Sequence, residues 1–266
     1  MHRDSSHPGP PHEVVGAYRA IVCFPIRSAL DATLQGVEIR SRALEADLAA
    51  TPSISRLDWP ALDVHHLEWV LGKPLVEPVS LLHRTRLWIP LAMRALADPR
   101  AQSLLLGWLG ERHWDPGLVT FAFTQREAMQ EPKAFAACLR SFVASGARVA
   151  LTEVGTLSAL ACTAGGQSNK VDEVRLSGPC TASPRDAAML SDGVERLHRE
   201  TVTVTALDLA SVQQCEVAID AGVDLVQGEA VGRPFSLKRL AAALEEREPE
   251  APGTGFGETF PGPLLR

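Results

Sequence analysis

The chain has 266 residues, 45% of them hydrophobic and 22% charged, which is ordinary globular usage with enough apolar material for one sizeable core. Its formal net charge of −6 argues against a surface built to neutralise a phosphate backbone, so no nucleic-acid partner is expected. No stretch reaches the length of a membrane span and the opening MHRDSSHPGPPHE lacks the apolar run of a secretory leader, which predicts a cytoplasmic protein without a membrane partner.

In chain order, residues 1–12 are rich in Ser, His, Gly and Pro, cannot bury enough apolar surface to offset ordering entropy, and are read as a disordered tail. Short apolar runs with β-branched residues then recur at 20–24, 37–39, 87–91, 118–123, 148–151, 173–176, 202–206 and 223–226. Helical stretches are expected at 63–71, 92–109, 127–145, 184–199, 211–221 and 236–246, and this strand–helix alternation predicts a mostly parallel sheet. The first two runs are too close for a crossover helix and are predicted to form an antiparallel hairpin. Ser183-Pro184 reads as an N-cap with proline at the first helical position, while Gly146 and Gly222 stand where helices end. From 248 to 266 the chain returns to Pro- and Gly-rich composition, a second flexible tail.

The five cysteines, Cys23, Cys138, Cys162, Cys180 and Cys215, show no CxxC or zinc-type spacing and an odd count, consistent with a reducing compartment and with small core residues. His65 and Glu68 lie one helical turn apart with no further ligand in sight and are read as part of a surface helix. Gly165-Gly166-Gln167 lacks the context of a phosphate-binding loop. Trp59, Trp69, Trp88, Trp108 and Trp114 are read chiefly as core or under-loop packing.

The strand ends carry a second kind of signal. Phe24-Pro25-Ile26, Gly36-Val37-Glu38-Ile39-Arg40-Ser41-Arg42, and Val226-Gln227-Gly228 followed by Gly232-Arg233-Pro234 are similar to the QPI, GxEALxR and QG…RP segments of the EAL domain family. Between them, Ile89-Pro90-Leu91-Ala92, Phe123-Thr124-Gln125 and Thr152-Glu153-Val154-Gly155-Thr156 fall where that family has NxS, ITE and DDFGT. Val174-Arg175-Leu176-Ser177 and Ala206-Leu207-Asp208-Leu209-Ala210 take the places of KxD and AEGVE. Over roughly 17–240 the chain resembles an EAL domain whose motifs are all altered, a degenerate and non-catalytic member. The resemblance implies a TIM-like (β/α)8 barrel occupying 13–247, with one antiparallel strand near its N-terminus.

It also implies a site where carboxylates and an asparagine hold two Mg²⁺ or Mn²⁺ ions against the phosphodiester of cyclic-di-GMP, because hard dications take oxygen ligands and a paired-metal centre needs several of them. Of those carboxylate positions only Glu38 and Glu153 keep a negative charge. Gln125 is a neutral substitute, Thr152, Leu207, Ala210 and Ser177 supply no carboxylate, and Pro90 has no side-chain oxygen at all. Arg175 stands for the family lysine with a guanidinium that does not release its proton. No metal cofactor is therefore expected, and Glu38, Gln125, Glu153 and Arg175 are vestigial catalytic positions. The loop at 155–160 is one residue shorter than its family counterpart.

The function this implies is that of an inactive regulatory protein in a bacterial signalling pathway, acting on an unidentified protein partner, with a homodimer in keeping with the family. The alternative is a metal-independent cyclic-di-GMP receptor using Glu38, Arg40, Arg42 and Gln227. A weak phosphodiesterase using one metal on Glu38 and Glu153 ranks third. The plainer reading of Glu38 is a strand-end carboxylate paired with Arg40 or Arg42, and of Glu153 a solvated or ion-paired loop acid.

Overall fold

The computed structural model describes residues 18–43, 85–93, 96, 99–111, 115–154, 171–177, 184–236, 238–240 and 242. The tails, the helix expected at 63–71 with His65 and Glu68, the glycine-rich stretch at 165–167, the loop at 155–160, Cys162, Cys180, Trp59, Trp69, Trp114 and the Ser183 cap lie outside these residues.

All eight expected strands form. They are β1 (Tyr18–Ser28), β2 (Leu34–Ala43), β3 (Arg86–Pro90), β4 (Val119–Thr124), β5 (Arg148–Val154), β6 (Glu173–Ser177), β7 (Thr203–Leu207) and β8 (Leu225–Val226). Neighbours from β2 to β8 pair in parallel, and β1 closes the sheet by running antiparallel to both β2 and β8. The result is the closed, mixed, TIM-like barrel with an antiparallel first strand. The β1–β2 connection is a hairpin: Ser28 N donates to Thr33 O at 2.9 Å, and Asp31 Oδ1 accepts from Thr33 N at 3.1 Å. A ninth strand, β9 (Phe235–Ser236), adds to the outer part of β1 and was not expected, since two residues leave no periodic signal.

The helices depart from expectation where prolines sit. Instead of spanning 92–109, the first described helix, α1, is Pro99–Glu111, and proline at a first helical position fits because its fixed φ and missing N–H suit that turn. The stretch expected as one helix at 127–145 is two, α2 (Gln125–Gln130) and α3 (Pro132–Ala144), broken at Pro132. Helices α4 (Pro184–Arg199) and α5 (Val212–Asp220) follow β6 and β7, and Ser211 caps α5 by accepting from Gln214 N at 3.3 Å. Gly146 and Gly222 take φ of +84° and +87° after α3 and α5, the left-handed conformation that ends helices most cheaply at glycine.

Strand periodicity sorts the side chains into two layers. Val37, Ile39, Leu87, Ile89, Phe121, Phe123, Val174 and Val204 face outward and join Leu105, Leu139, Phe142, Val194 and Ala218 in one large core. Phe121 packs against Phe142 of α3 in a tilted contact with centroids 4.4 Å apart. Inside the barrel the only apolar cluster among the described residues is Ile26, Trp88 and Leu225. Small or apolar inward residues such as Ala122, Ala150 and Leu207 share the interior with polar ones, and the alternation that puts Val174 and Leu176 outward turns Glu173 and Arg175 inward.

Candidate functional site

The parallel strands bring their C-terminal ends to one mouth, where βα barrels carry their chemistry. On β2, Glu38 and Arg40 are two residues apart and share the inner face. Glu38 is buried to 1% exposure, and the Arg40 side chain, at 25%, reaches solvent. One Glu38 carboxylate oxygen, Oε1, is contacted by Arg40 Nε; the other, Oε2, lies 2.6 Å from Arg175 Nη1. Burial alone pushes the Glu38 carboxyl up, but the charges and hydrogen bonds of Arg40 and Arg175 overcome it and hold the group at about 2.

Arg175, buried to the same degree, is the hub of a second layer. Its Nη2 donates to Gln227 Oε1 at 2.8 Å, and its Nε faces Glu173 Oε1 at 3.4 Å. Glu173 is held from two further sides: Trp88 Nε1 donates to Oε2 at 2.7 Å and Thr205 Oγ1 donates to Oε1 at 2.6 Å. A buried arginine thus lies between two buried carboxylates on different strands, an arrangement that compensates desolvation only because each charge has a partner.

Above this layer, the Arg40 guanidinium sits 4.8 Å from the centroid of the Phe24 ring, a cation–π contact. The two residues line a small pocket of about 50 Å³ together with Asp208, Gln227, Gly228 and Glu229. That is well below the roughly 300–1,000 Å³ of sites for drug-sized ligands. Gly228 is required here: at φ +155° a Cβ would stand 2.3 Å from the backbone N and O of Leu209. Among the described residues the buried Gln227 NH₂ has no hydrogen-bond partner, and neither do Glu38 Oε2 and Arg175 Nε, whose contacts are ion pairs without hydrogen-bond geometry. At the ends of β5 and β7, Glu153 and Asp208 both adopt φ +58°, a left-handed conformation that costs about 1–2 kcal/mol outside glycine, less for Asp.

The structure therefore gathers Glu38, Arg40, Arg175 and Gln227, four of the residues singled out from sequence. Gln125 is buried at the first turn of α2, where β4 ends. Glu153 is exposed and lies within β5, a correction to its reading as a loop acid, because the strand runs three residues beyond the expected 148–151. Arg42 pairs through its backbone with Ala20, and its side chain lies outside the described residues. Sequence reading paired Glu38 with Arg40 or Arg42 but missed Arg175 as its second partner, and it missed Glu173, Trp88 and Thr205 altogether. It also passed over Asp208, although that residue stands at the glycine position of AEGVE and takes a glycine-like φ. Among the described residues no group of three or more His, Cys, Asp and Glu side chains is placed to hold a metal ion.

With fold and site in view, comparison with known proteins gives the class. The EAL domain family matches residues 60–234, more than half of the chain, and the chain belongs to it. The matched region begins after β2, so the segments around Phe24 and Glu38 precede it. Among solved structures, the Xanthomonas citri FimX EAL domain in complex with c-diGMP superposes with a TM-score of 0.68 at 16% identity, covering 84% of this chain and 90% of that one. The PaMucR phosphodiesterase in its c-di-GMP complex gives 0.66 at 20% identity over 83% and 98%. An EAL domain protein from Listeria monocytogenes EGD-e gives 0.67 at 17% over 88% and 94%. A search of curated proteins found no match. At these identities the likeness is one of fold. No helix among the described residues is long and apolar enough to cross a membrane.

Proposed function

We propose that this EAL barrel works in cyclic-di-GMP signalling as a non-hydrolytic, cytoplasmic regulatory protein that acts through contact with another protein. The observation that carries the non-hydrolytic part is the state of Glu38, whose two carboxylate oxygens each bear a guanidinium. A carboxylate so engaged is a poor ligand for a dication, since the ion would have to displace or lie beside a fixed positive charge. The rest of the donor set does not fit a paired-metal centre either: Gln125 is a neutral amide, Pro90 has no side-chain oxygen, and Glu153 is exposed while Glu38 is buried. No hydrolytic step is therefore assigned to these residues. A barrel without turnover exerts its effect through what it contacts.

The test is a chromatographic assay of cyclic-di-GMP incubated with the full chain at high concentration and Mg²⁺ or Mn²⁺. No linear product above background is expected. Metal-dependent product that disappears in Glu38→Ala would overturn the reading.

A second reading, a metal-independent receptor for cyclic-di-GMP, draws on one specific observation. The pocket beside Arg40 offers an aromatic face on Phe24 for stacking and two donors that suit a phosphate or a base carbonyl, the partly exposed guanidinium and the Gln227 NH₂, which has no hydrogen-bond partner among the described residues. FimX and PaMucR are described as complexes with this dinucleotide. Stabilisation of the wild-type chain by cyclic-di-GMP without metal, lost in Arg40→Ala, is expected on this reading. No thermal shift at saturating dinucleotide would remove it.

A further inference from the structure

The candidate site occupies one end of the barrel, and the opposite end gathers charge of its own. In a closed barrel of this kind, alternate strands contribute side chains to the same interior layer. The first residues of β3, β5 and β7 are Arg86, Arg148 and Thr203. Each faces the interior, because the residue that follows it, Leu87, Val149 or Val204, belongs to the outer core. The three therefore share the lowest interior layer among the described residues, at the N-terminal end of the parallel strands, and all are half-buried. A contact across β6 ties the layer together, with Arg148 Nη2 donating to Thr203 Oγ1 at 3.4 Å.

Two guanidiniums meet here without a counter-charge. Among the described residues no carboxylate lies within ion-pair distance of Arg86 or Arg148. The acid above them, Glu173, is committed: it accepts from Trp88 Nε1 and Thr205 Oγ1 and faces Arg175. The aspartates that precede β6 and β8 are engaged as well. Asp172 accepts from Val149 N at 2.8 Å, and Asp224 accepts from Val204 N at 2.7 Å and meets His198 at 3.0 Å. Burial and the neighbouring Arg148 charge lower the proton affinity of the Arg86 guanidinium, against the opposing pull of Glu173. Like charges held together at half-burial are a net cost to the fold that a bound anion would offset.

We propose that this N-terminal end of the barrel is a binding site for a small oxyanion of the phosphate class, held between the Arg86 and Arg148 guanidiniums with the Thr203 hydroxyl as a third donor. The site is separate from the mouth and does not rest on the non-hydrolytic reading.

The donor set suits that ligand. Each guanidinium presents a planar fork that can engage two oxygens of a phosphate, and the Thr203 hydroxyl, which accepts from Arg148, keeps its own proton to donate. Strands β3 and β5 flank β4, so at ~4.8 Å per strand they run about 10 Å apart, which leaves room for one tetrahedral ion between two long side chains. Barrels of this type carry their chemistry at the other end, so an anion held here is bound and not turned over. Its effect is on the stability of the barrel.

The experiment uses the full chain and inorganic phosphate as probe, with chloride at matched ionic strength as the reference. Thermal unfolding and ³¹P NMR line width are recorded for wild type, Arg86→Gln, Arg148→Gln and the double variant, with Arg40→Ala reporting on the mouth; if the double variant does not fold, the single ones carry the comparison. In millimolar phosphate the wild-type Tm is expected to rise by several degrees over chloride and the phosphate line to broaden. Both effects shrink in the Arg86 and Arg148 variants and persist in Arg40→Ala. Three results would overturn the inference. The first is a wild-type chain that shows neither effect. The second is a Tm shift of equal size in the Arg86 and Arg148 variants, which is the general action of an excluded salt. The third is a response lost in Arg40→Ala and kept in the other variants, which places the anion at the mouth.

Discussion

At the scale of single residues, the account turns on a buried carboxylate that stays charged. Glu38 in water would titrate near 4.5, but the two guanidiniums hold it at about 2 in the folded chain. Its folded-state value is the lower one, so its contribution to stability is complete above about 4.5 and is lost as pH falls toward about 2. Urea unfolding at a series of pH values is expected to show a steeper loss over that window for wild type than for Glu38→Gln; equal slopes would contradict the assignment. At neutral pH, Glu38→Gln leaves Arg175 with Glu173 as its one described carboxylate partner, and a loss of about 1–3 kcal/mol is expected from the urea midpoint. Strain supplies a prediction of the opposite sign. Glu153 is exposed at φ +58°, and asparagine tolerates that conformation better, so Glu153→Asn is expected to raise stability by on the order of 0.5–1 kcal/mol.

At the scale of elements, the strands were legible because short β-branched runs alternate with helical ones, and the hairpin because so few residues separate the first two runs. The helix break at Pro132 was also written in the sequence, and the continuous apolar pattern of 127–145 concealed it. The site was legible only in part. Glu38, Arg40 and Gln227 could be found because they fall within segments similar to family motifs. Glu173, Trp88 and Thr205 could not, because which polar residue of a strand faces the interior is set by register, and register is known only once the barrel closes. The β2–β3 contact gives a direct test of that closure. A Cβ on Gly36 would lie 2.2 Å from Arg86 O and 2.6 Å from the Trp88 ring, so Gly36→Ala is expected to destabilise by about 1–3 kcal/mol or more, read from the thermal midpoint. A neutral substitution would mean that β2 does not approach β3 so closely.

At the scale of the whole molecule, the barrel keeps the EAL scaffold, with the outer core and the parallel register of β2 to β8 intact, while charge at its mouth is balanced from within by Arg40 and Arg175. Fold and chemistry are separable in this way because the outward-facing residues make the core and the inward-facing ones make the site. The measurement that bears most directly on this account is calorimetric titration of cyclic-di-GMP into the full chain, with and without Mg²⁺. The account predicts the same trace in both, either flat or a simple saturable binding heat, because on the proposed non-hydrolytic reading the mouth works without metal. A sustained, Mg²⁺-dependent heat of turnover would contradict it.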